Sequence, residues 1–198
     1  MKVKDIVAVI EEFAPLAIQE GWDNSGLCVG SPEDEVSSVL LALDCTETLV
    51  DEAIACGADM IVTHHPLIFK GVKKITPDDQ TGEAIIKAIR AGISIYAAHT
   101  SADKVLAGVS GAMAQKLGLK NVRILDEDGE GTGLGTIGEF ENPMTSEEAV
   151  AFVKERFGLK VLKASRPIDG KIERVAMCGG SGSSLIPAAM KSGAQLYI

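Results

Sequence analysis

The sequence predicts an α/β fold with two lobes, in which a mainly parallel sheet flanked by helices is accompanied by a smaller α+β lobe. The first observation is that short apolar runs alternate with longer amphipathic segments over residues 1–125, as in right-handed βαβ crossovers. The second is a change after about Val122, where the chain becomes acidic and glycine-rich. The third is the composition, because 46 % hydrophobic and 24 % charged residues are typical of a globular chain.

The first predicted lobe, residues 1–125, alternates helices with buried strands. Pro15 ends the first helix, Thr46 or Thr48 caps the second, and Gly57 and Gly92 follow the second and third as stop signals. The predicted helices cover residues 3–15, 46–57, 81–92 and 106–119, and the predicted strands cover residues 38–46, 59–65 and 93–100. Helical connections between consecutive strands favour a parallel sheet.

The second predicted lobe, residues 126–198, mixes strands with one clear helix. Thr145 and Glu148 form a capping box at the start of that helix. The predicted strands cover residues 133–140, 160–164 and 172–177, and the helix covers residues 145–158. The sequence stops in the apolar segment QLYI, which has the character of an unfinished strand. We expect the chain to be a shortened form of a longer protein, because an open apolar strand edge promotes aggregation.

Charge and composition exclude several classes of protein. The net charge of −9 argues against a sequence-independent nucleic-acid binder, which needs a basic face. No apolar run approaches the ~20 residues of a transmembrane helix, and the N-terminal segment lacks the features of a signal peptide. We therefore expect a soluble, cytoplasmic protein with no membrane partner. The four cysteines form no CxxC pair, and we expect them to be reduced.

The chain has only three histidines, and all of them lie at the ends of predicted strands. His64 and His65 end the second strand side by side, and His99 ends the third, with Asp103 one helical turn later. Asp44 ends the first strand. In a parallel sheet, functional groups collect beyond the carboxyl ends of the strands. We therefore expect three imidazoles and two carboxylates at one edge of the sheet.

Imidazole and carboxylate side chains together indicate a metal site. In an extended segment the adjacent side chains of His64 and His65 point to opposite sides, and Pro66 keeps His65 extended. Each histidine is then able to reach a different metal. The donors suit Zn²⁺, Fe²⁺, Mn²⁺, Co²⁺ or Ni²⁺ without distinguishing them. Two such ions ~3.5–4 Å apart would polarise a substrate and activate water. A histidine at a strand end is also commonly a hydrogen-bonded structural residue.

A glycine-rich turn, GGSGSS at residues 179–184, supports a different hypothesis about the function. Its amides and the following helix N-terminus suit a phosphate group, which would make the protein a phosphate-binding α/β module. The turn lacks the GK[ST] ending of a P-loop, and it does not fit GxGxxG. A tight strand-to-helix turn without a ligand explains the same residues.

Two further segments allow both a structural and a functional interpretation. In GWDNSGLCVG, Trp22 is the only tryptophan, and the segment is either a turn beside a buried ring or the rim of a site that includes Asp23 or Asn24. A cluster of lysines after the histidine pair belongs either to a solvated loop or to the binding site of an anionic substrate. These lysines are Lys70, Lys73 and Lys74.

The order of these motifs resembles the Ngg-interacting-factor-three-like family, whose members are named GTP cyclohydrolase I type 2 homologues. The resemblance extends over nearly the whole chain, and the combination of HHPLIF with AAHTSAD is its most specific part. The segments that carry it are WDNSGLCVG, ALDCTETLVDEA, GADMIVTHHPLIF, IYAAHTSADKVLAGV and the GGSG turn. The resemblance implies two α/β lobes, the second inserted into the first. It also implies toroidal hexamers with metal sites facing an inner cavity.

The resemblance also implies which residues bind metal. Family members hold two divalent metal ions per subunit, and the matching ligands here are His64, His65 and Asp103. The family's remaining ligands are a histidine and a glutamate of a GHYxTE-like motif near the C-terminus. This sequence has no histidine after His99, so those ligands are absent from the 198 residues.

These observations predict a divalent-metal-dependent hydrolase with a dinuclear site that activates water for a small-molecule substrate of unsettled identity. We expect His99 to orient a ligand or carry a proton, since it is the remaining imidazole at the site. Asp44 is expected to orient a ligand histidine in the same way. The alternative is a metal-binding scaffold or regulatory protein without turnover, because the family name derives from a protein interaction.

Overall fold

The computed structural model describes all 198 residues, and they form two compact units, Met1–Ala102 and Asp103–Ile198. A domain boundary between residues 125 and 126 is predicted from the sequence, and these positions fall inside strand β5, Lys120–Gly129. The division into the two compact units falls between residues 102 and 103. None of the helices combines the length and the apolar character needed to cross a membrane.

The first unit is a four-stranded sheet with helices, and its sheet is mainly parallel, as predicted. The strands lie in the order β1-β4-β3-β2; β2, β3 and β4 are parallel, and β1 pairs antiparallel with β4. The strands are β1 (Gly26–Val29), β2 (Val39–Ala42), β3 (Met60–Thr63) and β4 (Ser94–Ala97). The helices are α1 (Val3–Phe13), α2 (Glu47–Cys56), α3 (Gln80–Ala91) and the short α4 (Thr100–Asp103), which crosses into the second unit.

The predicted stop and start signals act where the sequence places them. Thr46, rather than Thr48, caps α2 by accepting a hydrogen bond from the Leu49 amide. Gly57 and Gly92 end α2 and α3 in the left-handed conformation, both with φ of 70°. Each helix therefore ends at a residue that adopts this conformation without a Cβ penalty.

Both faces of the central strands β3 and β4 are covered, which explains why these strands are continuously apolar. Ile61 and Ile95 are fully buried and belong to a core cluster that includes Val50 of α2 and Ile85 of α3. Neighbouring side chains on the strands point the other way, into a second cluster. Its fully or nearly fully buried members are Val3, Val36, Met60 and Tyr96. Burial on two faces favours parallel strands of this composition.

The second unit is built on a four-stranded sheet of order β5-β6-β7-β8, antiparallel except for the β7–β8 pair. The strands that follow β5 are β6 (Thr132–Met144), β7 (Ile172–Met177) and β8 (Leu196–Tyr197), and the helices are α5 (Val109–Lys116), α6 (Ser146–Phe157) and α7 (Ile186–Lys191). The predicted capping box of Thr145 and Glu148 is confirmed at the start of α6.

Two strand predictions fail in the second unit for identifiable reasons. The strand predicted at residues 160–164 does not form, and Val161 within that segment is 79 % exposed. Alternation of apolar and polar residues is insufficient there, because the segment has no pairing partner. The sequence does not predict strand β5, because its composition is acidic and glycine-rich. The strand is stabilised by extensive antiparallel pairing with β6.

The cysteines are free thiols that differ in exposure, which predicts a simple labelling pattern. Cys56 is exposed at the end of α2, whereas Cys28, Cys45 and Cys178 are partly buried. Burial raises the pKa of Cys28 to about 11 and that of Cys45 to about 12, and it also raises the pKa of Cys178. Because the thiolate is the reactive form, these three thiols should react slowly at neutral pH and faster only under alkaline conditions.

Titration of the native protein with a chromogenic disulfide reagent near pH 8 should therefore show a single fast thiol, and unfolded protein should show all four. Cys56→Ser should remove the fast phase, and Cys28→Ser should leave it unchanged. Persistence of the fast phase in the Cys56 variant would contradict the arrangement of buried thiols.

Candidate metal centre

The first sheet brings all three histidines to the carboxyl ends of its parallel strands. His64 and His65 follow β3 directly, and His99 follows β4 after one intervening residue. The register of the pair aligns Thr63 with Ala97, so the two strands end at the same level. This is the sheet edge at which the sequence predicted the imidazoles to meet.

The three imidazoles form one compact group. Their ring nitrogens lie within 4.8 Å of one another. The ring centroids are 4.9 Å apart for His64 and His65, 5.2 Å for His64 and His99, and 5.5 Å for His65 and His99. Three nitrogen donors at this spacing suit a divalent transition-metal ion.

Each of these imidazoles has an oxygen acceptor at Nδ1. The Nδ1 atoms of His64, His65 and His99 lie 3.0, 2.7 and 2.8 Å from the Ala98 carbonyl oxygen, Asp44 Oδ1 and Asp23 Oδ1, respectively. Such acceptors favour the tautomer with the proton on Nδ1, in which the metal-binding lone pair is on Nε2. Metal-binding histidines typically have this arrangement, with a carboxylate or a carbonyl behind the ring. The donor set therefore fits a metal ion.

The backbone of the histidine pair is held by the neighbouring strand. The amides of His64 and His65 donate to the carbonyl oxygens of Ala42 and Leu43, 3.3 and 2.9 Å away. The Thr63 hydroxyl donates to the His65 carbonyl oxygen at 2.8 Å. These bonds continue the β2–β3 pairing beyond the end of β3, so the two histidines stand on a fixed backbone rather than on a loose loop.

Asp44 and Asp23 support their histidines in contrasting environments. Asp44 follows β2, and its side chain is 59 % exposed. The side chain of its partner His65 is 46 % exposed. The Asp23 side chain is fully buried, and its partner His99 is 16 % exposed. The sequence predicts the supporting position of Asp44 but leaves the position of Asp23 open between a turn and a site rim.

Asp23 is the centre of a dense hydrogen-bond network. Besides His99, it accepts bonds from the Thr100 amide and hydroxyl, the Asn24 amide and the Ser25 hydroxyl. Burial raises the pKa of its carboxyl group, but the bonds from Thr100, His99 and Asn24 together outweigh burial and hold the pKa well below its usual range. Asp23 is therefore a carboxylate at neutral pH, and it accepts a hydrogen bond from the Nδ1–H of His99.

The remaining candidates from the sequence have separate positions. Asp103 ends α4, one turn after His99, and it is the first residue of the second unit; its role as a ligand stays a prediction. Lys70, Lys73 and Lys74 are exposed. In the glycine-rich turn, the Gly179 amide donates to Ser110 Oγ and the Gly182 carbonyl accepts from the Tyr197 hydroxyl. These internal bonds favour a structural turn.

The family relationship is established by comparison with known proteins. The sequence profile described as Duf34/NIF3 (NGG1p interacting factor 3) matches residues 1–198. The chain belongs to this family. The family resemblance noted in the sequence is thereby confirmed.

Individual members of the DUF34/NIF3 family match the chain over its whole length. The GTP cyclohydrolase 1 type 2 homolog of Clostridium acetobutylicum is 40 % identical over 201 residues, which cover 100 % of this chain and 75 % of that protein. The crystal structure of Staphylococcus aureus hypothetical protein SA1388 superposes with a TM-score of 0.93 at 31 % identity, covering 100 % of this chain and 78 % of that one. The crystal structure of the Bacillus cereus protein related to NIF3 superposes with a TM-score of 0.92 at 26 % identity, covering 100 % of this chain and 81 % of that one. The chain thus spans about three-quarters of the length of these relatives.

Proposed function

We propose that the chain is a divalent-metal-dependent hydrolase of the DUF34/NIF3 family. The observation that carries this proposal is the group of three imidazoles, each with an oxygen acceptor at Nδ1. His64, His65 and Asp103 would be the ligands that these 198 residues contribute to a site for divalent ions, with Zn²⁺, Fe²⁺, Mn²⁺, Co²⁺ and Ni²⁺ all suited to the donors. When bound, such ions polarise a substrate and make water a better nucleophile near neutral pH.

The residues behind the ligands would fix their orientation. Asp44 accepts from His65 Nδ1 and the Ala98 carbonyl accepts from His64 Nδ1, so both rings would present Nε2 to the metals. A fixed tautomer and a fixed backbone reduce the reorganisation that metal binding requires.

His99 would act beside the metals as an orienting group or a proton carrier. It lies 5.2 and 5.5 Å, ring to ring, from the two proposed ligands. Its bond to the Asp23 carboxylate holds the ring in one orientation and favours a proton on Nδ1. A carboxylate in this position also stabilises the imidazolium that forms when His99 accepts a second proton at Nε2.

The proposal extends to assembly and location on the basis of family resemblance. We expect a hexameric ring with the metal sites facing its inner cavity, and a cytoplasmic protein. Sedimentation measurements on purified protein test the first expectation. A monomer at all concentrations would contradict it.

The function is tested by metal content and by hydrolysis together. Protein purified without an affinity tag should contain divalent metal by elemental analysis, and a value of about two ions per chain would mean that the ligands absent from these 198 residues come from elsewhere, such as a neighbouring subunit. Hydrolysis of phosphate-ester, amide or nucleotide substrates should require added Mn²⁺, Zn²⁺ or Fe²⁺ and should be lost on chelation. Protein without bound metal would contradict the proposed site. Bound metal without turnover of any substrate would favour a metal-binding scaffold, in line with the family description as an interacting factor.

A further inference from the structure

Two aromatic side chains stand beside the histidine group without being buried. The rings of Trp22 and Phe69 have centroids 6.0 Å apart, and they lie 6.2 and 6.1 Å from the His99 ring. All three pairs meet at steep angles, between 64° and 80°. Trp22 is 60 % exposed and Phe69 is 46 % exposed. The sequence-based alternative of a buried tryptophan is therefore wrong.

Exposure alone carries no functional meaning, because large apolar side chains are exposed singly all over this chain and on most proteins. Phe13 at the end of α1, for example, is 49 % exposed and contacts no other aromatic ring. Trp22 and Phe69 differ from it in two respects. They form a pair, and the pair contacts an imidazole of the histidine group.

The backbone on either side of this aromatic pair is fixed by specific bonds. Asp23, the residue after Trp22, is bound to His99 and Thr100. Asn24 donates from Nδ2 to the carbonyl oxygen of Ile68, the residue before Phe69, at 2.6 Å. The turn that carries Trp22 is thus tied both to the end of β4 and to the segment that carries Phe69. The backbone that carries the two exposed rings is held in place before any ligand arrives, which reduces the entropy that binding costs.

We propose that Trp22 and Phe69 form a stacking wall in which Trp22 stacks on a planar aromatic or heteroaromatic ring of a small-molecule ligand and Phe69 contacts that ring edge-to-face, next to the histidine group. A ring stacked parallel to the indole meets the His99 imidazole near the 72° angle between Trp22 and His99. That angle is the edge-to-face geometry that aromatic pairs favour. Protein aromatics stack on planar rings irrespective of the pattern of their hydrogen-bonding groups. The inference rests on the proposed function only for the placement of the ring beside the metals.

The test uses Trp22 as its own reporter, because it is the only tryptophan in the chain. Adenosine and guanosine should quench its fluorescence saturably in chelator-treated protein, and ribose, which lacks the ring, should not. Phe69→Ala should weaken the binding of the nucleosides at least about twofold, the lower end of the range for an aromatic pair, because a ring stacked on Trp22 meets Phe69 edge-to-face. Phe69→Tyr should retain binding, and Phe13→Leu, the matched exposed control, should leave it unchanged.

Several outcomes would overturn the stacking wall. Equal quenching by adenosine and ribose would show that the ring is not recognised. Fluorescence that changes with protein concentration, but not with nucleosides, would show that a second copy covers Trp22. Because metal is absent throughout, a failure of the hydrolase proposal leaves this measurement unaffected. Calorimetry measures nucleoside binding to the variants Phe69→Ala and Trp22→Ala, the second of which lacks the fluorescent reporter. Binding that is unchanged in both variants would place the ligand elsewhere.

Discussion

Replacing His65 with alanine should abolish metal binding while leaving the fold intact. The side chain is 46 % exposed, and its ring bonds are to Asp44 and not to the core. The main-chain bond from His65 to the Leu43 carbonyl does not depend on the side chain. Loss of an outer-shell partner typically weakens metal binding 10–100-fold, and loss of a ligand itself should exceed that. Elemental analysis and metal titration of the purified variant give the measurement.

Two further variants serve as controls for the loss of metal affinity in the His65 variant. Asp44→Asn should still bind metal but with an affinity roughly 10–100-fold lower, because it alters the group behind His65 without removing a ligand. Lys73→Ala, in the exposed segment after the histidine pair, should bind metal like the unmodified protein. Thermal unfolding in the presence of chelator should give the same midpoint for all three variants and the unmodified protein. Full metal occupancy in the His65 variant, with that midpoint unchanged, would rule out His65 as a ligand.

The sequence was informative wherever local pattern and burial agree. Strands β3 and β4 lie between layers of side chains, so their apolar runs are continuous. The helical connections between β2, β3 and β4 dictate a parallel arrangement. Strand β1 escaped prediction because it follows a turn and pairs antiparallel with β4, some 70 positions later in the chain. Such a pairing depends on tertiary structure, and a short segment such as GLCV carries no signal for it.

The same distinction holds for the candidate site. The meeting of His64, His65 and His99 follows from the rule that strand ends share one edge of a parallel sheet. The bond between Asp23 and His99 joins residues 76 positions apart through a turn with no regular structure. The cluster of small polar residues next to the only tryptophan signals a constrained turn. It does not reveal which strand end the turn will contact.

Asp23→Ala should cause the largest loss of stability among single substitutions around the site. The alanine leaves donors of Thr100, Ser25 and His99 without their acceptor in a position that is closed to solvent. Removing one partner from a buried hydrogen-bonded network typically costs about 3–5 kcal/mol. Urea denaturation in the presence of chelator should show a lower midpoint with an unchanged slope. The denaturation midpoint of Asp23→Asn should fall between those of Asp23→Ala and the unmodified protein, because the amide keeps one acceptor oxygen and the shape of the side chain.

The matched comparison is Asp44→Ala. Both carboxylates accept from a histidine Nδ1 at nearly the same distance, 2.7 Å for Asp44 and 2.8 Å for Asp23, so the bond to imidazole is common to them. They differ in burial, and an exposed pair contributes little because water replaces the lost partner. Asp44→Ala should therefore change the free energy of unfolding by no more than about 0.5 kcal/mol. Equal losses for the two variants would mean that the imidazole bond, and not the buried network around Thr100, determines what Asp23 contributes. A large loss for Asp23→Ala alone would show that the buried network around Thr100, and with it the turn that carries Trp22, depends on the Asp23 carboxylate.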